Sequence, residues 1–425
     1  MTRHIITAIA LTAAAVSYAA EEKLIFLDEG QYQANNGRVS YFEDNQIVSN
    51  EWFRQNNGTS IGDGPNAIAR VNDNLIAISV GGSNIIQYIT PKGKAVAATD
   101  YIPGNCKFAS DGTYLYVSSY AHECETVNGK VTFTKGFCAK VDVNDGYRVI
   151  SATEVGWEPE GIAYYEGHLF VANSGGYAFS ESHDYEHTVS VLDAATMQVV
   201  RTVDVEQINL YGEVSLSGNW LLINSPGDYY QVPAATIVLD CAAVLAGKPD
   251  SECFIKIDRP ATYNTTGRDG KIYTVGTTFS YETMSSTVSC MVIDPEAAFT
   301  SKGTLGISTS FPGTIQADIA SMTAPYGFYI NPFTGYFYGT DAGDYSSAGT
   351  LYQWNAEGTL LGKYSTYINP SHFLALRPDS QGALNEIEID RSADTTIYNL
   401  YGMPVANPVP GRVYIRGGRK FIFKK

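Results

Sequence analysis

The sequence predicts an all-β fold: a seven-bladed β-propeller closed by strands from both ends of the chain, followed by a small C-terminal β-module. Helical periodicity is nearly absent, whereas short apolar or alternating runs bounded by Gly, Asn, Asp and Pro recur along the 425 residues. These runs repeat in groups of four whose starts lie 38 to 65 residues apart, a spacing typical of propeller blades. The last group stops after one strand, and three N-terminal runs belong to no group.

The N-terminal segment predicts export. Residues 1–19 read as a signal peptide, with a polar start at Arg3 and His4, an apolar run over residues 5–16, and small residues around Ala19. The run is too short to span a bilayer comfortably, and no later stretch approaches about 18 apolar residues. We therefore expect a protein at the cell surface or outside the cell. No cysteine follows the run, so a lipoprotein anchor would have no acceptor.

The repeats are read from the sequence in chain order. The first consists of GPNAIARV, DNLIAISV, IIQYI and KAVAATDYI, the second of PGNCKFAS, TYLYVSSY, FCAKVDV and YRVISATEV, and the third of PEGIAYY, HLFVANS, TVSVLD and QVVRTVDV. Later repeats begin near Tyr211, Pro260 and Pro325, and the last begins at Pro370.

The last repeat supplies one strand, INPSHFLAL, and the missing strands are found at the N-terminal end. KLIFLDEG, GRVSYFED and QIVSNEWF read as the second, third and fourth strands of the same blade. Closure of this kind ties the ring shut and removes free sheet edges. We predict a propeller over residues 21–378 and a C-terminal β-module over residues 384–425.

The charge distribution argues against nucleic acid as a partner. The formal net charge is -16, while residues 401–425 carry six Lys and Arg and no acid. The body of the chain is therefore strongly acidic and would repel phosphates.

Six cysteines in an exported chain permit disulfides, but the sequence leaves their connectivity open. Cys124 with Cys138, and Cys241 with Cys253, are near enough in sequence to link local loops. Cys106 and Cys290 fall inside apolar segments and predict buried free thiols. No CxxC spacing occurs, so we expect neither zinc nor redox chemistry.

Aromatic side chains recur on one predicted face of the ring. In a propeller, the loop between the second and third strands and the loop into the next blade open on the same face. Six of the seven former loops contain tyrosine. Rings beside acids and small polar groups are suited to stacking on a bulky ligand and bonding its edges. The alternative is that these tyrosines merely pack loops together. The candidate ligand-binding residues are Tyr32, Trp157, Tyr177, Tyr185, Tyr229, Tyr230, Tyr281 and Tyr345, with Tyr101 and Tyr326 from loops between blades.

The sequence predicts no catalytic residues, no metal site and no cofactor. His183 and His187 have an HxxxH spacing but lie in a loop, where solvated polarity explains them. Glu160 and Asn173 could ligate an ion on the ring axis, yet only one blade supplies such residues clearly. No acid, base and nucleophile set converges, so we expect a non-catalytic protein.

Two stretches carry a resemblance to a known family. Residues 25–89, from IFLDEG to IIQYI, and PEGIAYYEGHLFVANSGG with TVSVLDAATMQVVRTV resemble the YVTN/YncE-type "surface layer" β-propellers of Bacteroidetes. The resemblance covers most of residues 24–377. Members similar to the BtuG propellers capture cobalamin for a TonB-dependent outer-membrane transporter, so the resemblance implies a corrinoid or similar bulky ligand and such a transporter as partner. The chain departs from that pattern by lacking a lipoprotein cysteine, and no binding residue is transferred.

The C-terminal segment resembles short sorting modules. TTIYNLYGMPVANPVPGRVYIRGGRKFIFKK is similar to the C-terminal β-modules of exported Bacteroidetes proteins, which implies a sorting or anchoring signal; a structural hairpin is the alternative. For the whole chain, the leading hypothesis is a ligand-binding surface propeller. The alternatives are a structural or adhesive surface protein that binds protein or glycan, and a lactonase-like hydrolase that uses Glu160 and an ion.

Overall fold

The structure is a computed structural model. It describes residues 22–99, 101–120, 125–127, 130–132, 134–178, 183–280, 285–377, 397, 405, 408–410, 413–416 and 419–423. The predicted signal peptide, Cys124 and Tyr281 lie outside these residues. The chain divides into two compact units, residues 1–377 and residues 378–425.

The first unit contains seven four-stranded antiparallel sheets among its described residues, each of them one blade. The strands that begin the chain are β1 (Lys23–Asp28), β2 (Arg38–Glu43) and β3 (Gln46–Ser49). Blade 1 is β4 (Pro65–Asn72), β5 (Leu75–Val80), β6 (Ile85–Ile89) and β7 (Ala95–Thr99). Blade 2 is β8 (Asn105–Ser110), β9 (Tyr114–Ser119), β12 (Phe137–Asp142) and β13 (Arg148–Glu154), with the hairpin β10 (Glu125–Val127) and β11 (Lys130–Thr132) between its second and third strands. Blade 3 is β14 (Pro159–Tyr165), β15 (His168–Asn173), β16 (Thr188–Asp193) and β17 (Val199–Asp204).

The remaining blades follow the same order. Blade 4 is β18 (Ser215–Ser217), β19 (Trp220–Ser225), β20 (Ala235–Asp240) and β21 (Phe254–Ile257). Blade 5 is β22 (Tyr263–Thr266), β23 (Ile272–Ser280), β24 (Ser285–Ile293) and β25 (Ile307–Ser308). Blade 6 is β26 (Pro325–Ile330), β27 (Phe337–Asp341), β28 (Thr350–Trp354) and β29 (Leu360–Ser365).

Blade 7 joins the two ends of the ring. The strand β30 (Pro370–Ala375) pairs antiparallel with β1, and the sheet continues outward through β2 and β3. Leu24 lies opposite Ala375, and Ile25 lies opposite Leu374. The prediction of one C-terminal and three N-terminal strands in a seven-bladed propeller is therefore confirmed.

Seven apolar clusters hold the described ring together, one at each boundary between neighbouring blades. At the boundary of blades 6 and 7, for example, Phe26 and Phe42 pack with Tyr338 and Leu351, all fully buried. Each blade thus buries apolar surface against two neighbours, which is the main stabilising contribution in such a fold. Blade 7 makes these contacts with both blade 6 and blade 1, so the ring has no open end.

Burial is highest in the second strands and lowest in the outermost strands, and this difference explains the sequence pattern. The second strands are apolar runs, such as the wholly buried LIAISV of β5, because both of their faces meet other blades. The outermost strands are the least buried, as in β13, where five of the seven residues from Arg148 to Glu154 are exposed and none is buried. Short helices lie between blades or at their edges: α1 (Trp52–Asn57), α2 (Cys241–Leu245), α3 (Pro295–Thr300) and α4 (Ile315–Ala320).

The second unit contains one described hairpin, formed by β31 (Val413–Arg416) and β32 (Arg419–Ile422). The buried ring of Tyr414 lies 6.4 Å from that of Phe423. Across the described residues of both units, no helix has the length and apolar character needed to cross a bilayer.

The cysteines correct one sequence expectation. Cys106 and Cys290 are buried free thiols, as predicted. Cys241 and Cys253 are also free, so the local disulfide that their spacing permitted is not formed. Both lie in the apolar cluster between blades 3 and 4, where the thiol of Cys253 is directed to the carbonyl of Pro249 at 3.3 Å rather than to Cys241. Cys138 is a buried free thiol, while its candidate partner Cys124 lies outside the described residues.

Candidate functional site

A cavity of about 1100 Å³ opens at the centre of the ring, and we call it the funnel. It is lined by residues from the first strands of all seven blades and from loops on the face that the sequence predicted. Eight tyrosines are among the described lining residues: Tyr32, Tyr101, Tyr120, Tyr177, Tyr211, Tyr263, Tyr326 and Tyr329. The described ionisable groups other than tyrosine are Glu29, Cys106, Lys107, Glu160, Glu213 and His372.

A repeated irregularity of the first strands directs many of these side chains. Five first strands carry a β-bulge, at which one extra residue stands opposite the neighbouring strand. A bulge takes a residue out of the regular pairing and turns its side chain. The bulges near the start of these strands are at Asn66 in blade 1, Cys106–Lys107 in blade 2, Glu160–Gly161 in blade 3, Tyr326 in blade 6 and His372 in blade 7. All of these positions except Gly161 line the funnel, so the bulges build its floor.

One side of the floor, the ionic half, consists of Glu29, Lys107, Glu213 and His372. His372 contacts Glu213 through Nδ1, and its Nε2 lies 3.1 Å from Glu29 Oε1. Lys107 Nζ lies 3.8 Å from Glu213 Oε1 and donates a hydrogen bond to the carbonyl of Asn66 at 2.7 Å. The hydroxyls of Ser371 and Tyr326 donate to Glu29 at 2.8 and 2.9 Å. Both carboxylates therefore have cationic partners.

The partners in the ionic half stabilise its charged forms. Burial opposes ionisation of Glu213, but His372 and Lys107 outweigh it and lower the pKa to about 2. Burial likewise opposes ionisation of Glu29, and the contact with His372 lowers that pKa below its usual value. Burial and the charge of Lys107 disfavour protonated His372, yet Glu213 and Glu29 raise its pKa. The ionic half is a network of two acids and two bases.

The other side of the floor, the neutral half, consists of Cys106, Tyr120 and Glu160. Glu160 is 2% exposed, and its carboxylate accepts hydrogen bonds from the hydroxyl of Tyr120 and from the thiol of Cys106, whose Sγ lies at 3.3 Å. Burial raises the pKa of Glu160, an effect that Lys107 and the hydrogen-bond donors only partly offset. Burial and the neighbouring Glu160 raise the pKa of Cys106 well above its usual value. The thiol is therefore a poor nucleophile.

The structure brings together some of the residues predicted for ligand binding. Tyr32 and Tyr177, with Tyr101 and Tyr326 from the loops between blades, line the funnel. The other described candidates, which are Trp157, Tyr185, Tyr229, Tyr230 and Tyr345, are not among the lining residues. Tyr345 approaches the funnel indirectly, because its ring meets that of Tyr326 edge to face at 5.7 Å. Tyr281 lies outside the described residues.

Two other expectations need correction. His183 was expected to be solvated, but its side chain is only 5% exposed, stacks on Trp157 at 4.1 Å and lies 3.3 Å from the buried carboxylate of Glu158. Asn173 was a candidate ion ligand, yet its side chain bonds the backbone N–H of Gly156 and the hydroxyls of Thr188 and Ser190. Those bonds link loop and strands of blade 3, so this amide has a structural role.

Sequence reasoning missed most of the floor, namely Glu29, Lys107, Glu213 and His372 among the charged groups and Tyr120, Tyr211 and Tyr263 among the rings. The sequence does contain a pattern that marks these positions. When the first strands are aligned on their leading Pro or Gly, a polar or aromatic residue follows within three positions. The segments that show it are PNAIARV, GNCKFAS, PEGIAYY, YGEVSLS, PYGFYI and PSHFLA. Such a residue interrupts an apolar strand at the same place in successive blades. That regularity marks the axis of the ring.

Known proteins resemble the chain in fold only. No protein-family model matches it, and no curated protein matches it significantly. Hydrazine synthase of Kuenenia stuttgartiensis is similar to it in structure, with a TM-score of 0.53, 16% identity, and 74% of this chain and 92% of that chain covered. This similarity supports the propeller fold.

Two further solved structures are similar at lower scores. Apo AztD of Citrobacter koseri has a TM-score of 0.46 with 11% identity, over 84% of this chain and 98% of that chain. The Pan2 WD40 domain of Neurospora crassa has a TM-score of 0.45 with 12% identity, over 72% of this chain and 79% of that chain. At these scores and identities, neither similarity bears on function.

Proposed function

We propose that this protein is an exported, non-catalytic propeller that binds a bulky ligand in the funnel, with cobalamin or another corrinoid as the ligand to test first. The observation that carries the proposal is the lining of the funnel: eight tyrosines surround about 1100 Å³. Small-molecule sites usually enclose about 300 to 1000 Å³, so this volume suits a ligand larger than a typical metabolite.

The chemistry of the lining supports a large ligand with a flat, polar-edged body. Tyrosine offers an apolar face for stacking and a hydroxyl for hydrogen bonding. Tyr101 and Tyr211 are 71% and 47% exposed, so their faces remain accessible from solvent. A corrin is large, flat and fringed with amides, which matches both properties. The sequence resemblance to cobalamin-capturing propellers points the same way, and it implies a TonB-dependent transporter as the partner that receives the ligand.

The bonding of the floor supports binding rather than turnover. The carboxylates of Glu29 and Glu213 already contact His372, and the thiol of Cys106 has a raised pKa. A general base or nucleophile needs an accessible, suitably ionised group. Glu160 lies in the funnel, but Asn173, its partner in the hydrolase hypothesis, is bonded within blade 3.

A calorimetric titration of the mature protein with cyanocobalamin tests the proposal. We expect saturable binding that weakens at least tenfold in the double variant Tyr101→Ala/Tyr211→Ala, because two stacking faces are lost. The matched control, Tyr101→Phe/Tyr211→Phe, keeps both rings and should retain most of the affinity.

Four outcomes would overturn parts of the proposal. No heat with cyanocobalamin excludes the corrinoid. Equal affinity in the Ala and Phe variants excludes the funnel as its site. Esterase or lactonase turnover that disappears in Glu160→Gln would make the protein a hydrolase, whereas saturable binding of a glycan in place of cyanocobalamin would favour the adhesive alternative.

A further inference from the structure

The charges on the funnel floor are unevenly partnered. Among the described lining residues the acids are Glu29, Glu160 and Glu213, and the bases are Lys107 and His372. Lys107 and His372 both contact Glu213, and His372 also contacts Glu29. Two acids are therefore matched by two bases. Glu160 is the acid that neither of these two bases contacts within 4.0 Å, although the charge of Lys107 lowers its pKa.

The immediate partners of Glu160 are neutral. Tyr120 donates its hydroxyl proton to one carboxylate oxygen, Cys106 donates its thiol proton to the other, and the backbone N–H of Gly212 is a further donor. Each carboxylate oxygen can accept more than one hydrogen bond, so capacity remains for another donor. The ammonium of Lys107 is directed elsewhere, to the carbonyl of Asn66 at 2.7 Å.

Aromatic rings stand around this carboxylate. The rings of Tyr120 and Tyr177 meet edge to face, with their centroids 5.7 Å apart at 89°. Tyr211 lies near enough that the charge of Glu160 is the largest cause of the raised pKa of its hydroxyl. All three tyrosines line the funnel beside Glu160. Tyrosine faces attract cations, and a carboxylate behind such rings adds a full negative charge.

We propose that the neutral half of the floor is an amine subsite, in which the Glu160 carboxylate binds the ammonium group of a cationic ligand between the rings of Tyr120, Tyr177 and Tyr211. The inference rests on the proposed function, because it requires that the funnel bind a ligand, but it does not require that the ligand be a corrinoid. It names the chemical class that this half of the floor recognises: an aliphatic or benzylic amine protonated at neutral pH.

Binding at this subsite is coupled to proton release. Burial raises the pKa of Glu160 in the empty funnel, so its carboxyl holds a proton to a higher pH than usual. An arriving ammonium favours the ionised form, and the carboxyl proton leaves to solvent. Amine affinity should therefore fall as the pH falls through the pKa of Glu160. The charged and titratable groups that face Glu160 are Cys106, Lys107, Tyr120, Tyr177, Tyr211 and Glu213.

The experiment compares two probes of equal size, benzylamine and benzyl alcohol, titrated into the mature protein at pH 8 and pH 5. We expect benzylamine to bind at least tenfold more tightly than benzyl alcohol at pH 8, with the preference shrinking at pH 5. Glu160→Gln should abolish the preference, because both probes then meet a neutral amide. The matched control is Glu296→Gln, an exposed acid of α3 outside the funnel, which should keep the preference.

Equal affinity for the two probes, no benzylamine binding, or an unchanged preference in Glu160→Gln would each overturn the subsite. Cyanocobalamin titrated into the same sample separates this failure from failure of the proposed function: heat with cyanocobalamin but no amine preference removes the subsite alone. Should Glu160→Gln fail to fold, the two probes and two pH values on the unmodified protein still decide the matter.

Discussion

The two halves of the funnel floor show what decides the charge of a carboxyl that lines the funnel. Glu213 in the ionic half and Glu160 in the neutral half both line the same cavity, yet their pKa values move in opposite directions. Desolvation opposes ionisation in both, although the Glu213 side chain is 46% exposed and Glu160 only 2%. The cationic partners His372 and Lys107 lower the first pKa to about 2, whereas hydroxyl and thiol donors only partly offset burial at the second.

The halves also differ in which parts of the chain they join. The ionic half contains Glu29, which follows β1, and His372 of β30, so it connects residues 343 positions apart in the sequence that meet in blade 7. The neutral half connects Cys106 and Tyr120 of blade 2 with Glu160 of blade 3, which follow each other along the chain. The ionic half therefore depends on ring closure, and the neutral half depends only on two adjacent blades.

The largest effect is expected from removing the closure. Deleting residues 21–53 eliminates β1, β2 and β3, and with them Glu29 and the apolar contacts of blade 7 with both neighbours. Cooperative thermal unfolding, followed by circular dichroism, should be lost. A deletion variant that still melts in one sharp transition near the original temperature would contradict the structural role of closure.

The second largest effect is a difference in stability between one variant of the ionic half and one of the neutral half. His372→Gln leaves Glu29 and Glu213 without their shared cationic partner. We expect a loss of about 1 to 3 kcal/mol in the free energy of unfolding, because the Glu213 side chain is 46% exposed and solvent screens part of its contact with His372. Glu160→Gln should change it by less than about 1 kcal/mol, because a glutamine oxygen still accepts from Tyr120 or Cys106. Urea unfolding at pH 7 measures both. Equal losses in the two variants would mean that the ionic partners do not distinguish the halves.

A carboxyl outside the floor tests whether burial raises a carboxyl pKa when its close partners are neutral donors. Asp28 at the end of β1 is fully buried; it accepts hydrogen bonds from the hydroxyl of Ser40 and the N–H of Tyr367, with Arg38 as a weaker charged neighbour. Burial raises its pKa to about 7 from 3.8. Because the folded state holds the proton more tightly, the stability that Asp28 contributes is complete below pH 4 and is lost as the pH rises to about 7.

Replacing that carboxyl with an amide should remove the pH dependence. In Asp28→Asn the amide oxygen can accept from Tyr367, and the amide nitrogen can donate to Ser40, whose hydroxyl then donates to Asn50. We expect the variant to be roughly 2 kcal/mol more stable than the unmodified protein at pH 8 and nearly equal to it at pH 4. Urea unfolding at both pH values provides the measurement. A stability difference between the two proteins that does not change with pH would refute the conclusion that ionisation of Asp28 destabilises the folded state.

The smallest effect is expected in the loop between β19 and β20. Tyr229 and Tyr230 were predicted from sequence to carry binding energy, but they are not among the residues that line the funnel. We expect Tyr229→Ala/Tyr230→Ala to weaken ligand binding less than threefold, against tenfold or more for Tyr101→Ala/Tyr211→Ala. Calorimetry with the same ligand compares the two double variants. A reversed order would return the binding site to the loops of blade 4.

The sequence predicts the ring better than the site, for a physical reason. Strands and turns depend on neighbouring residues, so apolar runs such as LIAISV of β5 predict the blades. INPSHFLAL, which contains β30, is the only strand of the last repeat, and it predicts that the ring is closed by strands from the other end of the chain. The floor is assembled from distant residues: Glu29 and His372 are 343 positions apart. A single isolated His in an apolar strand gives no sign of such a partner. The loop tyrosines found from sequence share a face with the funnel, but loop membership does not decide whether a ring points inward, as Tyr177 and Tyr229 illustrate.

The bulges of the first strands bear on how such a ring can change its specificity. At Asn66, Tyr326 and His372 the extra residue stands outside the regular ladder, so the residues on either side keep their pairing whatever side chain occupies it. A substitution there alters the floor without shifting the strand by one position, a shift that would turn the whole apolar face outward. Each bulged blade thus offers one position that selection can vary independently, and five such positions around one axis provide many combinations from an unaltered scaffold.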